Sequence, residues 1–198
     1  MKVLPNQLYH IYNQGNNQET IFHDRNDYLL FLEKTRKLIS PFADIVCYSL
    51  MPNHFHFLIN TNEKSSETVM LGHLSSSQLA NGFRLLCSGY ANEFNKKYYR
   101  TGSLFRQKTQ AKNLEVYNLM GNYAFTCFHY IHQNAMTANL CSKMEDWEFS
   151  SFQDYLKMRN GTLVNQQVAF NLIGISEDRF YEESYQVISP DKLRGLFE

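Results

Sequence analysis

Cysteine is sparse and scattered. Cys47, Cys87, Cys127 and Cys141 form no Cys-x-x-Cys pair, which argues against a disulfide framework or a zinc ribbon and leaves the thiols as small buried hydrophobes. No apolar run approaches the roughly 18 to 20 residues that a membrane helix requires, and the opening Met1-Lys2-Val3-Leu4-Pro5 has no secretory core. A cytoplasmic protein is the expectation. Internal repeats and low-complexity tracts are missing too, and charge of neither sign prevails, because 19 Lys and Arg balance 19 Asp and Glu. A nucleic-acid partner would therefore have to be held by local rather than global positive potential.

What is present is a chain of 198 residues, 43% hydrophobic and 19% charged. That composition suits an ordered domain with a real core, not a disordered polymer. The charge is unevenly spread. Residues 1–144 carry 14 basic and 9 acidic side chains, a balance of +5, whereas residues 145–198 carry 5 and 10, a balance of −5. We expect a main domain over residues 1–145 and a C-terminal extension over 146–198, packed on it or regulatory.

Gln7 to Tyr12 is rich in β-branched and aromatic residues and predicts a strand, followed by a polar loop over Asn13–Glu19. Asp24 is suited to cap a helix bearing Tyr28, Phe31, Leu32, Leu38 and Ile39, which Pro41 ends. Ala43–Met51, the turn signal Pro52-Asn53 and the alternating His54–Asn60 predict an antiparallel hairpin. A polar loop comes next. Ser75 and Gln78 suggest a capping box before a helix with Leu79, Phe83, Leu86, Tyr90 and Phe94 on one face. A strand within Ser103–Ala111 and a third helix from Leu114 to about Asn134 complete the order. Strand, helix, strand, strand, helix, strand, helix is an α+β pattern, the ferredoxin-like split βαβ arrangement of an antiparallel sheet backed by helices, with a small helical extension at the C-terminus.

In Met51-Pro52-Asn53-His54-Phe55-His56-Phe57-Leu58-Ile59, strand alternation directs His54 and His56 to one face and the intervening aromatics to the other. Two imidazoles so spaced can share a divalent cation when other ligands converge. The same spacing is met by a polar strand face that merely carries two histidines. A second feature lies between Asn95 and Leu114, where no acidic residue occurs and Lys96, Lys97, Arg100, Arg106, Lys108 and Lys112 are interleaved with Tyr98, Tyr99 and Phe105. Cations for phosphates and aromatics for unpaired bases make this the best nucleic-acid stretch; a solvated helix end with core aromatics has the same composition.

Four segments in order, Tyr9-His10-Ile11-Tyr12-Asn13-Gln14-Gly15-Asn16, Leu50-Met51-Pro52-Asn53-His54-Phe55-His56, Tyr130-Ile131-His132-Gln133-Asn134 and Trp147-Glu148-Phe149-Ser150-Ser151-Phe152, resemble the insertion-sequence single-tyrosine transposases with a His-hydrophobic-His motif. The resemblance is closest to the REP-associated tyrosine transposases and runs from about residue 7 to about residue 155. It implies a metal-dependent DNA nicking and joining enzyme that cleaves single-stranded or hairpin DNA at repeat or element ends through a covalent phosphotyrosine. The position of the family's nucleophile matches Tyr130, with Tyr123 in reserve among 13 tyrosines. Asn134 matches a third-ligand position beside His54 and His56, and helical i, i+4 spacing sets it next to Tyr130. Many relatives carry proline after that asparagine, where this chain has Ala135. His132 fits either a surface residue or a phosphate contact. The implied cofactor is Mg or Mn, although imidazoles alone suit manganese or zinc better than magnesium. Family members act as homodimers in trans or as monomers in cis. Two other readings share these residues: a domesticated protein that binds structured nucleic acid without cutting it, and a hydrolase in which water is the nucleophile.

Overall fold

The computed structural model describes residues 2–115 and 123–188. Its main sheet joins β1 (Leu8–Gln14), β2 (Ala43–Met51), β3 (His54–Thr61) and β6 (Gln110–Asn113) in the order β2-β3-β1-β6, with every pairing antiparallel. This is the expected split βαβ sheet: α1 (Arg25–Leu38) carries the chain from β1 to β2, and β3 inserts between them. Between β3 and α2 (Gln78–Lys97) lies a second, two-stranded sheet of β4 (Thr68–Leu71) and β5 (Leu74–Ser77). The polar loop predicted there is thus a short hairpin, turned by Gly72 at a φ of 64°. Its brevity and its exposed Met70 and Leu74 explain why alternation did not mark it.

Local chemistry accounts for the helix starts. At α1 the Asp24 carboxylate accepts from the backbone N–H of Asn26 and Asp27, while Asp27 Oδ2 accepts from the N–H of Asp24 and His23, a reciprocal capping box. At α2 the cap is Ser77, whose hydroxyl accepts from Ala80 N–H. The predicted cap, Ser75, sits in β5 paired with Met70, because the hairpin carries two more residues before the helix can begin. Likewise the strand expected in Ser103–Ala111 is confined to β6, and Phe105 makes only an isolated bridge to Gly15. In the third helix, α3 spans Tyr123–Thr137, three residues past the predicted end at Asn134, because Ala135 permits continuation where proline would not. The part of that prediction at 116–122 lies outside the described residues.

The sheet separates two cores. Tyr9, Ile11, Phe55, Phe57 and Ile59 face α1 and α2, where they pack on Phe31, Phe83, Tyr90 and Phe94. Leu8, Cys47 and Leu58 face α3 and pack on Cys127, Phe128 and Ile131. The second core is completed by the C-terminal segment: α4 (Phe152–Tyr155), a short helical stretch through α5 (Gln166–Val168) and Ala169–Ile173, and α6 (Phe180–Ser184). Arg159 fastens this segment by donating to Asp154 Oδ1 at 2.6 Å, Ser150 O at 2.6 Å and Tyr48 Oη at 2.8 Å. The tail from 189 to 198, where Asp191 and Glu198 balance Lys192 and Arg194, lies outside the described residues. Among those described, no helix is long and apolar enough to cross a membrane.

The α1 and α2 backbones meet at Gly82, where an added Cβ would lie 2.5 Å from the Leu38 carbonyl oxygen. At Gly89 the nearest atom would be the mobile end of Lys34, 3.9 Å away. Gly89→Ala is therefore expected to raise the unfolding free energy by about 1 kcal/mol through helix propensity, and Gly82→Ala to lower it by about 1–3 kcal/mol through overpacking. Urea denaturation of the two variants checks this; equal shifts in one direction would refute the close approach.

Candidate active site

Register builds the site. In the β1–β3 ladder Tyr12 lies opposite His56 and Gln14 opposite His54, and β6 sets Lys112 opposite His10. Directly opposed residues share a face, so His10, Tyr12, His54, His56 and Lys112 all project toward the α3 side. Phe55 and Phe57 point into the other core, as alternation requires.

The histidine pair is in fact a triplet. His10 Nε2 and His56 Nδ1 share a hydrogen bond of 2.9 Å in a buried setting, and their rings stack at 5.1 Å. His54 stands edge-on to His56 at 5.1 Å, and its Nδ1–H donates to Asn53 Oδ1 at 2.6 Å. That bond fixes the His54 tautomer with its lone pair on Nε2. The tautomer in which His56 Nδ1–H donates to His10 does the same for His56, and such partners commonly orient a metal-binding imidazole. Burial pushes the imidazolium of His54 down to about 4 and that of His56 well below its ordinary range. Burial, aided by Lys112, takes His10 down to about 3. All three rings are thus neutral near pH 7, with lone pairs available.

From α3, the Tyr130 ring approaches His56 at 5.8 Å and His10 at 6.5 Å, edge-on to both. Tyr130 is half-buried. Burial raises its phenol pKa, Cys127 and Tyr12 adding to the effect, while a hydrogen bond with Asn134 opposes it. Asn134 is buried, and its Nδ2 has no partner among the described residues. The helix thus brings Tyr130 and Asn134 together as i, i+4 neighbours, and Tyr130 reaches the histidines. Tyr123 begins the described helix two turns earlier and packs on the second core. Among the described residues no three His, Cys, Asp or Glu side chains form a metal-holding group; the donors that fit a cation are two imidazole Nε2 atoms and an amide.

His132 fits neither of its expected places. It is neither at the surface nor free to meet a phosphate: it is buried between Phe128, Phe152 and Tyr155, with Nε2 bonded to Ser151 Oγ at 2.8 Å. The C-terminal segment covers this side of α3, which the sequence of the helix alone does not disclose. His10 is a member of the site that the sequence motifs do not single out. Its signal was the alternation of Tyr9-His10-Ile11-Tyr12, which puts His10 and Tyr12 on one strand face.

The predicted cations fall into groups. Lys97 bridges Asp24 at 2.7 Å and Asp27 at 2.8 Å, locking the end of α2 to the cap of α1. Arg100 pairs with Glu19 through Nε at 2.7 Å. Lys96, Arg106 and Lys108 are exposed. The Gln14 amide oxygen, in the orientation that suits its surroundings, accepts from Arg106 Nε at 2.7 Å. Lys112 alone among these cations belongs to the histidine face.

No protein-family model and no curated protein matches this chain. Among solved structures, a REP-associated tyrosine transposase bound to a REP hairpin superposes over 96% of this chain and 97% of that one, with a TM-score of 0.57 and 12% identity. Two structures of a bacterial tRNA(His) guanylyltransferase-like protein, in complex with GTP and with ATP, superpose at TM-scores of 0.45 and 0.41 with 12% and 13% identity, covering 78% and 89% of this chain and 73% and 75% of theirs. No argument rests on those two. The first likeness establishes the fold, so the α+β architecture expected from the sequence is borne out along nearly the whole chain.

Burial also sets an acid limit away from the triplet. His129, bonded through Nδ1 to Ser184 Oγ at 2.9 Å, is held down to about 4 by desolvation. Its folded pKa lies below its unfolded value, so the unfolded state binds more protons between about pH 6.5 and 4, and stability falls as pH drops through that window. The contribution is a slope of at most about 1.4 kcal/mol per pH unit. His129→Gln is expected to reduce the acid slope in denaturation midpoints measured from pH 7 to 4; an unchanged slope would mean that His129 titrates normally in the folded protein.

Proposed function

We propose that this protein is a DNA endonuclease and strand transferase of the single-tyrosine transposase type, acting on single-stranded or hairpin DNA. The observation that carries the reading is the approach of the Tyr130 ring to His56 and His10 of the same chain. It is supported by the segments that resemble REP-associated tyrosine transposases and by a fold shared with a solved member that was captured with a REP hairpin.

In this reading Tyr130 Oη attacks a backbone phosphorus. The tyrosine–phosphate bond forms as the bond to the 3′ oxygen breaks, and the departing strand leaves with a protonated 3′ hydroxyl. Attack by another 3′ hydroxyl reverses the step and joins strands. The phosphotyrosine conserves the bond energy, so no nucleotide cofactor is needed. His54 and His56, whose hydrogen bonds through Nδ1 leave lone pairs on Nε2, would hold Mg or Mn, with the Asn134 amide oxygen as third donor. When bound, the cation would supply charge neutralisation at a non-bridging phosphate oxygen. His10 orients His56, and Asn134 steadies the Tyr130 hydroxyl. Because Tyr130 lies by its own chain's histidines, the arrangement favours action in cis.

A second reading is a protein that holds structured DNA without cutting it, since a fold shared with a hairpin-bound structure supports binding as readily as cleavage. Labelled hairpin DNA with a single-stranded flank, incubated with Mg or Mn and run on a denaturing gel, separates the two. The transposase reading expects a metal-dependent protein–DNA band that is lost in Tyr130→Phe and His54→Ala. Binding without such a band on any repeat-end substrate would leave the binder. Salt titration offers a further check: charge reversal at Lys96 and Lys108 is expected to flatten the salt dependence of binding by about one unit of slope per phosphate contact, while Lys97→Ala, whose charge is already paired, leaves it nearly unchanged and lowers stability instead.

A further inference from the structure

On the other side of the sheet from the histidines, a cavity of about 580 Å³ opens between α2 and the segment 102–109. Its floor is apolar: Ala80, Cys87 and Ala91 are half-buried along α2, and Phe83 and Leu104 are fully buried behind them. Its lip is cationic, formed by Arg84, Arg106 and Lys108, all exposed, and no carboxylate lines it. Arg84 is braced toward Asn81 Oδ1 at 2.8 Å, and Ser88 offers a hydroxyl at the rim. An apolar slot with positive edges matches a flat aromatic group carrying a phosphate, and the volume is ample for one nucleotide.

The cavity also adjoins the candidate active site. Segment 102–109 is stitched across the end of β1: Asn16 N–H donates to Leu104 O at 2.9 Å and Arg106 N–H to Gln14 O at 2.8 Å. Gln14 faces His54 across the β1–β3 ladder, whereas its neighbour Asn13 lines the cavity and donates to Thr109 Oγ1 at 3.0 Å. Arg106 thus stands on the ridge between the two, with its side chain on Gln14 and its charge at the cavity lip. A strand whose phosphate is presented to Tyr130 would cross that ridge to reach the cavity.

We propose that the cavity receives an unpaired nucleotide of the DNA strand held at the Tyr130 site, with the base against Ala80, Cys87 and Ala91 and the phosphate at Arg84 and Lys108. The proposal rests on the reading of the protein as a tyrosine transposase and adds where the single-stranded flank is gripped. Burial of the base against apolar side chains and phosphate pairing at one such position are worth on the order of tenfold in affinity or more.

The test uses the full chain and two DNAs, a hairpin with a single-stranded flank and the same hairpin trimmed of it. Wild type is expected to bind the flanked form at least about tenfold more tightly. Arg84→Glu, which reverses the lip, and Ser88→Leu, which crowds the rim from an exposed helix position, are expected to erase that preference without changing affinity for the trimmed hairpin. A flank carrying 5-iodouracil at successive positions is expected to crosslink, at one position, to the peptide that contains Cys87. Unchanged preference in both variants, with crosslinks elsewhere, would overturn the proposal while leaving the Tyr130 adduct intact. Equal labelling by free 5-iodo-dUMP would also overturn it, assigning a mononucleotide site. If wild type bound neither DNA and formed no adduct, the functional reading itself would fall, and the proposal with it.

Discussion

The hydrogen bond between His10 and His56 depends on one alignment of two strands. Because Tyr12 lies opposite His56 and His10 opposite Leu58, His10 is a diagonal neighbour of His56 on the same face and close enough for ring nitrogens to meet. A slip of β1 by one residue would turn its histidine and tyrosine into the α1–α2 core and bring Tyr9 and Ile11 to the α3 side. The register is held by that core: Ile11, Phe55, Phe57 and Ile59 cannot leave it without exposing large apolar surfaces. The polar site is thus specified by the apolar face behind it.

Burial then sets the chemistry. An imidazole out of water resists protonation and a phenol out of water resists ionisation, so the site holds neutral rings around neutral Tyr130. Such a site has electron pairs to give and little charge of its own, which under the proposed function would suit a divalent cation that in turn meets the phosphodiester. Lys112, opposite His10 on β6, contributes positive charge on the same side and lies apart from Lys97 and Arg100, whose charges hold helix ends and loops together.

Much of this was legible in the chain. Alternation around Phe55 and Phe57 fixed the orientation of His54 and His56, and the Asp24 cap, the Pro52-Asn53 turn and the apolar face of α2 located their elements. Less legible were features that depend on contacts distant in sequence. His10 joins the site through cross-strand pairing, and His132 is taken from the surface by Ser151 and Phe152, which arrive from the C-terminal segment. The basic stretch read as one patch because composition cannot show that Asp24, Asp27 and Glu19 reach it. The β4–β5 hairpin was hidden by its shortness.

The covering of α3 on two sides has a mechanical meaning. Phe128 and Ile131 are buried toward the sheet and the C-terminal segment, while His129 and Gln133 are tied to Ser184. The helix that carries Tyr130 is a wedged beam, not an arm that swings. For a second molecule to borrow this tyrosine, the beam would have to be pulled out of its core, so under the proposed function each copy would keep its own nucleophile. Under the proposed chemistry, one protein molecule breaks one strand at a time, and pairing two broken ends becomes a matter of how the DNA folds rather than how the protein rearranges.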